Sequence, residues 1–352
     1  NQSPPVMSYN RMFALFGENN PENLRLLPDP MLRPLSHLMI DEFQDVSPQI
    51  VSWLRASLRE IRSRGPAMHV GRGAQRSSLL CVGDDWQSIY GWRGSSPKYF
   101  MEFTKAFVSP ANTRVMMVEN YRCQQQVIDA AEFLVKGTPA ITGKKARASG
   151  PAAELPGSPV KVFDRDEAAL GETLIEHYQR GESVMMLYRK GSDKAVMNEH
   201  LQAVLHAEAG LPAEQRRLRQ LTYHSAKGLQ ADAVFMLGDC QYLTSSPYKN
   251  QVYRQAGLGR AGDLEGYDNA QKDEILRLAY VGITRAVQHC YWYVDGQDGQ
   301  ASTSDTAEAS RSDSRRSSRP RAASCSNASG SCSAALCRPS RLLLSDIYFS
   351  AG

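Results

Sequence analysis

Three carboxylates, Asp41, Glu42 and Asp45, follow directly on the apolar run of "HLMIDEFQDV". Acids that end a buried strand can simply mark where the chain meets water. They can also hold a divalent cation, because open parallel sheets bind ligands beyond the carboxyl ends of their strands. The arrangement returns in "LLCVGDDWQSIYGWRG": an apolar run, then Asp84 and Asp85, then Gln87 and the spaced aromatics Trp86, Tyr90 and Trp92 with Arg93. Those aromatics suit an amphipathic turn that fills a core. They equally suit a platform for single-stranded nucleic acid, since every base offers a π-face. In "VENYRCQQQ", Tyr121 and Arg122 follow a third apolar run. An Arg there can clamp a phosphate by bidentate hydrogen bonds or form an ordinary surface salt bridge. "LTYHSAKGLQAD" gathers Thr222, His224, Ser225, Lys227 and Gly228, which suit a phosphate backbone, although a lone His is more often structural. In "ILRLAYVGITRAVQH", Tyr280 and Arg285 ride on a segment whose apolar residues predict a buried helix. An Arg carried toward a cleft by such a helix is costly unless an anion meets it.

These groups need a scaffold, and the chain has one. Its 352 residues suffice for about two domains. Apolar runs read as buried parallel strands in "HLMID", "SLLCVGD", "TRVMMVEN", "VKVFD", "SVMMLYR", "QLTYHS", "DAVFMLGD" and "CYWYVD". Helical periodicity separates several of them, as in "SPQIVSWLRASLREIRSR", "QQVIDAAEFLVK" and "DEAALGETLIEHYQRG". Strands alternating with helices predict doubly wound α/β sheets. A Gly/Pro/Ala-rich connector, "KGTPAITGKKARASGPAAELPGSP", reads as a surface loop. The boundaries predicted are 1–118 for a first domain, 119–297 for a second and 298–352 for a Ser/Arg-rich tail whose composition is that of a disordered segment.

Composition excludes some classes. Hydrophobic residues make up 42% and charged residues 22%, as in globular proteins, and a net charge of +4 names no partner. No apolar run is long enough to span a membrane, so no membrane partner is expected. Cys81, Cys123, Cys240 and Cys290 are scattered, which suits free thiols in a reducing cytoplasm. Cys325, Cys332 and Cys337 lie in the tail without the paired C-x-x-C spacing of a zinc site.

Taken in order, "DEFQD", "GDDWQSIYGWRG", "NYR", "TYHSAKG" and "LAYVGITRA" resemble the helicase motifs, from the second onward, of the UvrD/Rep-type superfamily 1 DNA helicases. The resemblance covers residues 36 to 294. "GDDWQSIY" and the Gln of "AKGLQAD" look most like the DNA helicase IV branch. It implies two RecA-like parallel-sheet domains, the first incomplete, with ATP and Mg²⁺ as cofactors and 3′-to-5′ movement on DNA. Position by position, it implies that Asp41 holds Mg²⁺, Glu42 activates the attacking water and Gln87 senses the γ-phosphate. Arg122 and Arg285 would stabilise the transition state. Tyr121 would lie near the adenine, and Gln230 stands where a Glu usually touches the ribose. Tyr90 and Trp92 would stack on bases, Arg93 would tie that platform to the acids, and Thr222 and His224 would touch the DNA backbone. Single strands and duplex–single-strand junctions are the implied substrates, with repair or replication proteins as further partners.

The departures carry expectations of their own. The family's P-loop, G-x-x-x-x-G-K-S/T, is absent from these 352 residues; "GTPAITGKK" is one residue too long, follows a helix and has Lys145 where the hydroxyl belongs. With no initiator Met in "NQSPPVMSYN", the chain reads as starting partway through a longer protein, and as inactive by itself. About thirty residues separate "SVMMLYRK" from "QLTYHS", too few for the family's usual inserted subdomain. The tail reads like a frame-shifted or spliced end. Two rival readings stand beside the enzyme: a non-hydrolysing single-stranded DNA-binding module, and a helicase-like factor associated with RNA polymerase.

Overall fold

The structure, a computed structural model, describes residues 7–65, 77–240, 245–259 and 262–295. The tail, with Cys325, Cys332 and Cys337, lies outside the described residues. In chain order the helices begin with α1 (Tyr9–Leu15), α2 (Pro21–Arg25) and α3 (Asp29–Leu32). Strand β1 (His37–Ile40) is followed by α4 (Pro48–Ser63), β2 (Ser78–Cys81), α5 (Lys98–Met101) and α6 (Phe103–Ala106). Next come β3 (Glu119–Asn120), α7 (Gln125–Val135), β4 (Arg147–Ala148), α8 (Pro151–Glu154), β5 (Lys161–Asp164) and α9 (Glu167–Gln179). The chain continues through β6 (Val184–Tyr188), α10 (Gly191–His200), α11 (Gln202–Glu208), β7 (Leu218–Thr222) and β8 (Ala231–Leu237). It closes with α12 (Pro247–Gln255), α13 (Gly266–Ile283) and β9 (Ala286–Val294). No described helix is long and apolar enough to cross a membrane.

These elements sort into two units that interleave in sequence. The first takes the described residues among Asn1–Met116, Thr138–Lys144 and Tyr242–Arg277; the second takes those among Met117–Gly137, Lys145–Gln241 and Leu278–Gly352.

In the first unit, β1 and β2 pair in parallel from His37↔Ser78 to Ile40↔Cys81. Helix α4 follows β1 because Ser47 caps it, accepting from Ile50 N at 3.5 Å, and Pro48 opens it with φ already helical. Its apolar stripe buries Val51, Leu54, Leu58 and Ile61, one face of a 3.6-residue period. Phe43, Val46, Val51 and Leu54 form a core on which Leu38, Ile40 and Cys81 pack from the strands. Phe100, Phe103 and Phe107 close that core from below, with Phe43 and Phe103 edge to face at 6.0 Å. The alternate strand residues point the other way: Met39 is 81% exposed and Leu80 52%.

The second unit holds a five-stranded parallel sheet in the order β5-β9-β8-β6-β7. Its inner strands are apolar on both faces, as parallel strands covered on both sides must be: Val184–Leu187 and Ala233–Leu237 are buried throughout. Helix α9, capped by Asp166 on Ala169 N at 2.9 Å, buries Leu170 and Leu174 against Phe235 and its neighbours. A second, two-residue parallel ladder joins β3 to β4.

Two sequence expectations are corrected. "TRVMMVEN" does not form a buried strand; only Glu119–Asn120 is ladder, and Val115 and Met117 are 79% and 82% exposed. An apolar run states that something should be covered, but a strand also needs a hydrogen-bonding edge, and among the described residues only β4 offers one here. The connector after α7 is more than a surface loop. It contributes β4 and α8, and it buries Thr138 and Ala152.

Candidate functional site

In the first unit the carboxyl ends of β1 and β2 lie side by side, so the two acidic loops that leave them are neighbours. The ladder is prolonged by Val82 N donating to Ile40 O and Phe43 N donating to Val82 O, both at 2.9 Å. Asp41 is exposed, and its Oδ1 accepts from Glu42 N at 2.8 Å. Glu42 takes the left-handed conformation, φ 52° and ψ 39°, and is the only non-glycine among the described residues at positive φ. Its carboxylate accepts from Gln44 Nε2. Gln44 is fully buried and its Oε1 accepts from Asp84 N at 3.0 Å. One amide thus ties the loop after β1 to the loop after β2. Gly83 makes room for it: a Cβ there would stand 2.3 Å from Gln44 Oε1.

The second loop is a hydrogen-bonded unit. Asp84 caps its turn, with Oδ1 accepting from Trp86 N at 3.0 Å and Oδ2 accepting from Gln87 Nε2 at 2.8 Å. Asp85 is fully buried, where a carboxylate needs partners. It receives Ile141 N at 2.8 Å and Lys144 Nζ at 2.7 Å. Lys144 also donates to Asp84 and sits 4.1 Å from the centroid of the Trp86 ring. Buried Arg277 adds positive charge near Asp85; burial lowers its pKa, against the pull of Asp273, Asp85 and Glu274. Asp41 has no ion-pair partner among the described residues, and its Oδ2 accepts no bond there. That fits Mg²⁺, which takes one or two carboxylates alongside phosphate and water oxygens.

Beyond this loop, Arg93 lies over Trp92 at 4.4 Å and over Tyr90 at 5.3 Å. Trp92 is 56% exposed. This side chain and its cation form a free aromatic face, while Trp86 and Ile89 are the members of the segment that fill the core. The contacts of Arg93 in this unit are with its own aromatics, Tyr90 and Trp92.

The second unit gathers Arg122, Gln230 and Arg285. Asn120 Oδ1 accepts from both Arg122 N and Cys123 N at 2.9 Å, a turn that sets the direction of Arg122. Arg122 Nε donates to Gln230 Oε1 at 3.1 Å and Nη1 to Thr284 O at 3.5 Å. Arg285, 1% exposed, donates from Nε to Val281 O at 2.8 Å and from Nη1 to Leu229 O at 3.3 Å. Backbone carbonyls therefore meet the charge for which the sequence asked an anion. Between the two guanidiniums, burial still pushes the Cys123 thiol up to about 11, so it is a neutral packing group. Tyr121 is 69% exposed and its ring rests on Gly150, where a Cβ would approach Cδ1 to 3.0 Å. Thr222 ends β7, and its hydroxyl meets Ser225 Oγ at 2.8 Å; His224, part-buried, lies in the same turn. In this unit Arg165 binds Asp295, just past β9, together with Glu167 of α9 and Asp193 of α10, at 2.7, 2.7 and 3.0 Å.

Sequence reasoning named Asp85 without its buried role, and missed Gln44 and Lys144. Gln44 stands within "DEFQD", but nothing in its type distinguishes a buried tie from a solvated loop residue. Lys144 was read only as part of a false P-loop.

Residues 24–108 match the family described as the UvrD/REP helicase N-terminal domain. The chain is 25% identical over 264 residues to DNA helicase IV of Escherichia coli (strain K12), covering 74% of this chain and 34% of that protein. It is 26% identical over 174 residues to DNA helicase II of Salmonella typhimurium, covering 47% and 21%. It is also 26% identical over 172 residues to ATP-dependent DNA helicase Rep of the same organism, covering 47% and 23%. The chain thus spans about a third or less of the length of these relatives.

Proposed function

We propose that this chain, a UvrD/Rep-type helicase relative whose first unit carries the UvrD/REP N-terminal domain, supplies motor residues of an ATP-dependent 3′-to-5′ DNA helicase acting in the cytoplasm. The observation that carries this reading is the Gln44 amide, which holds Glu42 on one side and the Asp84 loop on the other. A γ-phosphate chemistry needs a metal-holding acid, a base for water and a phosphate sensor in fixed register. Here Asp41 would hold Mg²⁺, whose charge offsets that of the phosphates. Glu42 would take the proton of the attacking water. Gln87, held through Asp84 by Lys144, would meet the γ-phosphate. Arg122 and Arg285 would supply positive charge, Tyr121 would stack on adenine, and Gln230 would stand near the ribose while holding Arg122. Tyr90, Trp92 and Arg93 would carry the bases, with Thr222 and His224 on the DNA backbone. Single strands and their junctions with duplex are the substrates of this reading.

Since no P-loop occurs in the 352 residues, hydrolysis would depend on one supplied upstream. The test is ATP hydrolysis, with and without single-stranded DNA, by this chain and by the same chain joined to an upstream P-loop segment. Only the joined protein should turn over, and Glu42→Gln should lower its rate by at least about a hundredfold. Strong hydrolysis by the 352-residue chain would overturn the dependence on a P-loop. A second reading, a single-stranded DNA-binding module without hydrolysis, is favoured by the exposed Trp92–Arg93 face, which needs no nucleotide. Tight DNA binding by an inactive joined protein would select it.

A further inference from the structure

The second unit contains a side-chain cluster for which the helicase reading has no use. His177 lies in the last turn of α9, Glu182 in the turn that follows, and His289 in β9. One ligand atom from each lies within 4.8 Å of the other two. The fold builds this arrangement from distant positions. Gly181, at φ +89°, reverses the chain after α9 and returns Glu182 to within 2.6 Å of His177 Nδ1. The register of β9 against β8, Ala233↔His289, sets the second imidazole beside the first, with ring centroids 4.9 Å apart.

Each imidazole is also oriented from behind. Tyr291 Oη lies 2.9 Å from His177 Nε2, and Ser158 Oγ lies 3.0 Å from His289 Nδ1. Such outer partners fix the tautomer of metal-binding histidines and leave the other nitrogen for the ion. They leave His177 Nδ1 facing Glu182, and His289 Nε2 with no hydrogen-bond partner among the described residues. A plain His177–Glu182 ion pair accounts for two of the three groups. It does not account for a second imidazole packed against the first. His177 is buried while Glu182 and His289 are part-exposed, which gives an ion a way in and a water a fourth position. Lys161 and Arg180 stand near enough to oppose a cation, with Glu182 acting against them.

We propose that His177, Glu182 and His289 form a binding site for a transition-metal dication of the zinc class, with Tyr291 and Ser158 orienting the two imidazoles. Two imidazoles and a carboxylate are a donor set for zinc, with an open position. An ion centred among atoms at most 4.8 Å apart lies within about 2.8 Å of each. Zinc bonds of about 2.0–2.2 Å then ask each ligand to close by about 0.7 Å or less, a side-chain adjustment. This site is independent of the helicase reading.

The metal-free full chain titrated with Co²⁺ should take up one ion with visible d–d bands of a nitrogen/oxygen site and no thiolate charge-transfer band. Zn²⁺ should displace it. His289→Ala and Glu182→Gln should each weaken binding at least tenfold with unchanged circular dichroism. The triple variant Cys325→Ser, Cys332→Ser, Cys337→Ser should leave it unchanged. If His289→Ala fails to fold, Ser158→Ala serves instead, with a loss of about 10–100-fold expected for an orienting partner. The proposal is overturned by the absence of stoichiometric uptake, by uptake that survives both ligand variants, or by uptake lost in the cysteine variant.

Discussion

The β1–β2 ladder and the five-stranded sheet are both parallel and are finished differently. In the second unit β6 and β8 have a strand on either side and helices over the sheet, and Met185, Met186, Val234 and Phe235 are fully buried. In the first unit β1 and β2 have only each other among the described residues, and every second side chain, Met39 and Leu80 with Val82 beyond, faces outward. Yet the acids proposed to act on ATP leave the half-covered pair, while in the covered sheet Asp295, at the end of β9, is held by Arg165. Gln44 ties the loops after β1 and β2 to one another with only these two strands beside them among the described residues, and that tie is enough to hold the proposed groups in register. Completeness of the sheet instead governs stability.

That contrast can be broken at its strongest point first. Phe235→Ala should cost the second unit about 3–5 kcal/mol in urea unfolding, because a fully buried ring stacked on Tyr291 at 5.0 Å leaves a cavity. Leu80→Ala should stay within about 0.5 kcal/mol. Equal costs would show that the outward face of β1–β2 is covered in solution. Next, Gly83→Ala drives a methyl into Gln44 and should destabilise the first unit by about 1–3 kcal/mol; a neutral effect would mean that the Gln44 tie is not rigid. Trp92→Ala should weaken single-stranded DNA binding, read by fluorescence anisotropy, by about 1–3 kcal/mol, the range for one lost base stack. No change would remove the platform from the proposed function.

The smallest effect concerns pH. Burial raises the Asp239 pKa above its ordinary 3.8, and the neighbouring Asp295 charge adds to it, against Arg165. A raised folded value favours the protonated form in the native state. Its contribution to stability is full below pH 3.8 and is lost as pH rises through the folded value. Asp239→Asn should therefore stabilise the second unit near neutral pH and flatten its profile between those limits. A destabilised variant at neutral pH would mean that Arg165 outweighs burial.

Much of this was legible in the sequence because strand and site share one signal. "HLMID" and "LLCVGDD" announce both a ladder and the acids at its end, and the structure forms β1 and β2 there, half-covered rather than buried, with Met39 and Leu80 exposed. The inner strands of the second sheet read equally well, since a run apolar on both faces has few other uses. What escaped is what depends on partners far along the chain. Lys144 lies about sixty residues from Asp84, in a Gly/Pro-rich stretch with no periodicity. The return of 138–144 and 242–277 to the first unit leaves no local mark. "TRVMMV" carries the apolar signal of a strand without the edge to pair it. The His177–Glu182–His289 cluster is assembled by a glycine turn and a strand register, neither of which periodicity can combine.

The backbone at Glu42 has a consequence for how this chain can drift. A left-handed φ suits glycine or asparagine, and a glutamate held there gives up about 1–2 kcal/mol. Folding alone would therefore reward the replacement of Glu42, and any lineage released from the need for a carboxylate would gain thermal stability by losing it. If Glu42 has the proposed role, position 42 works as a gauge: glutamate would mark a relative still held to the chemistry, and glycine one that has let it go.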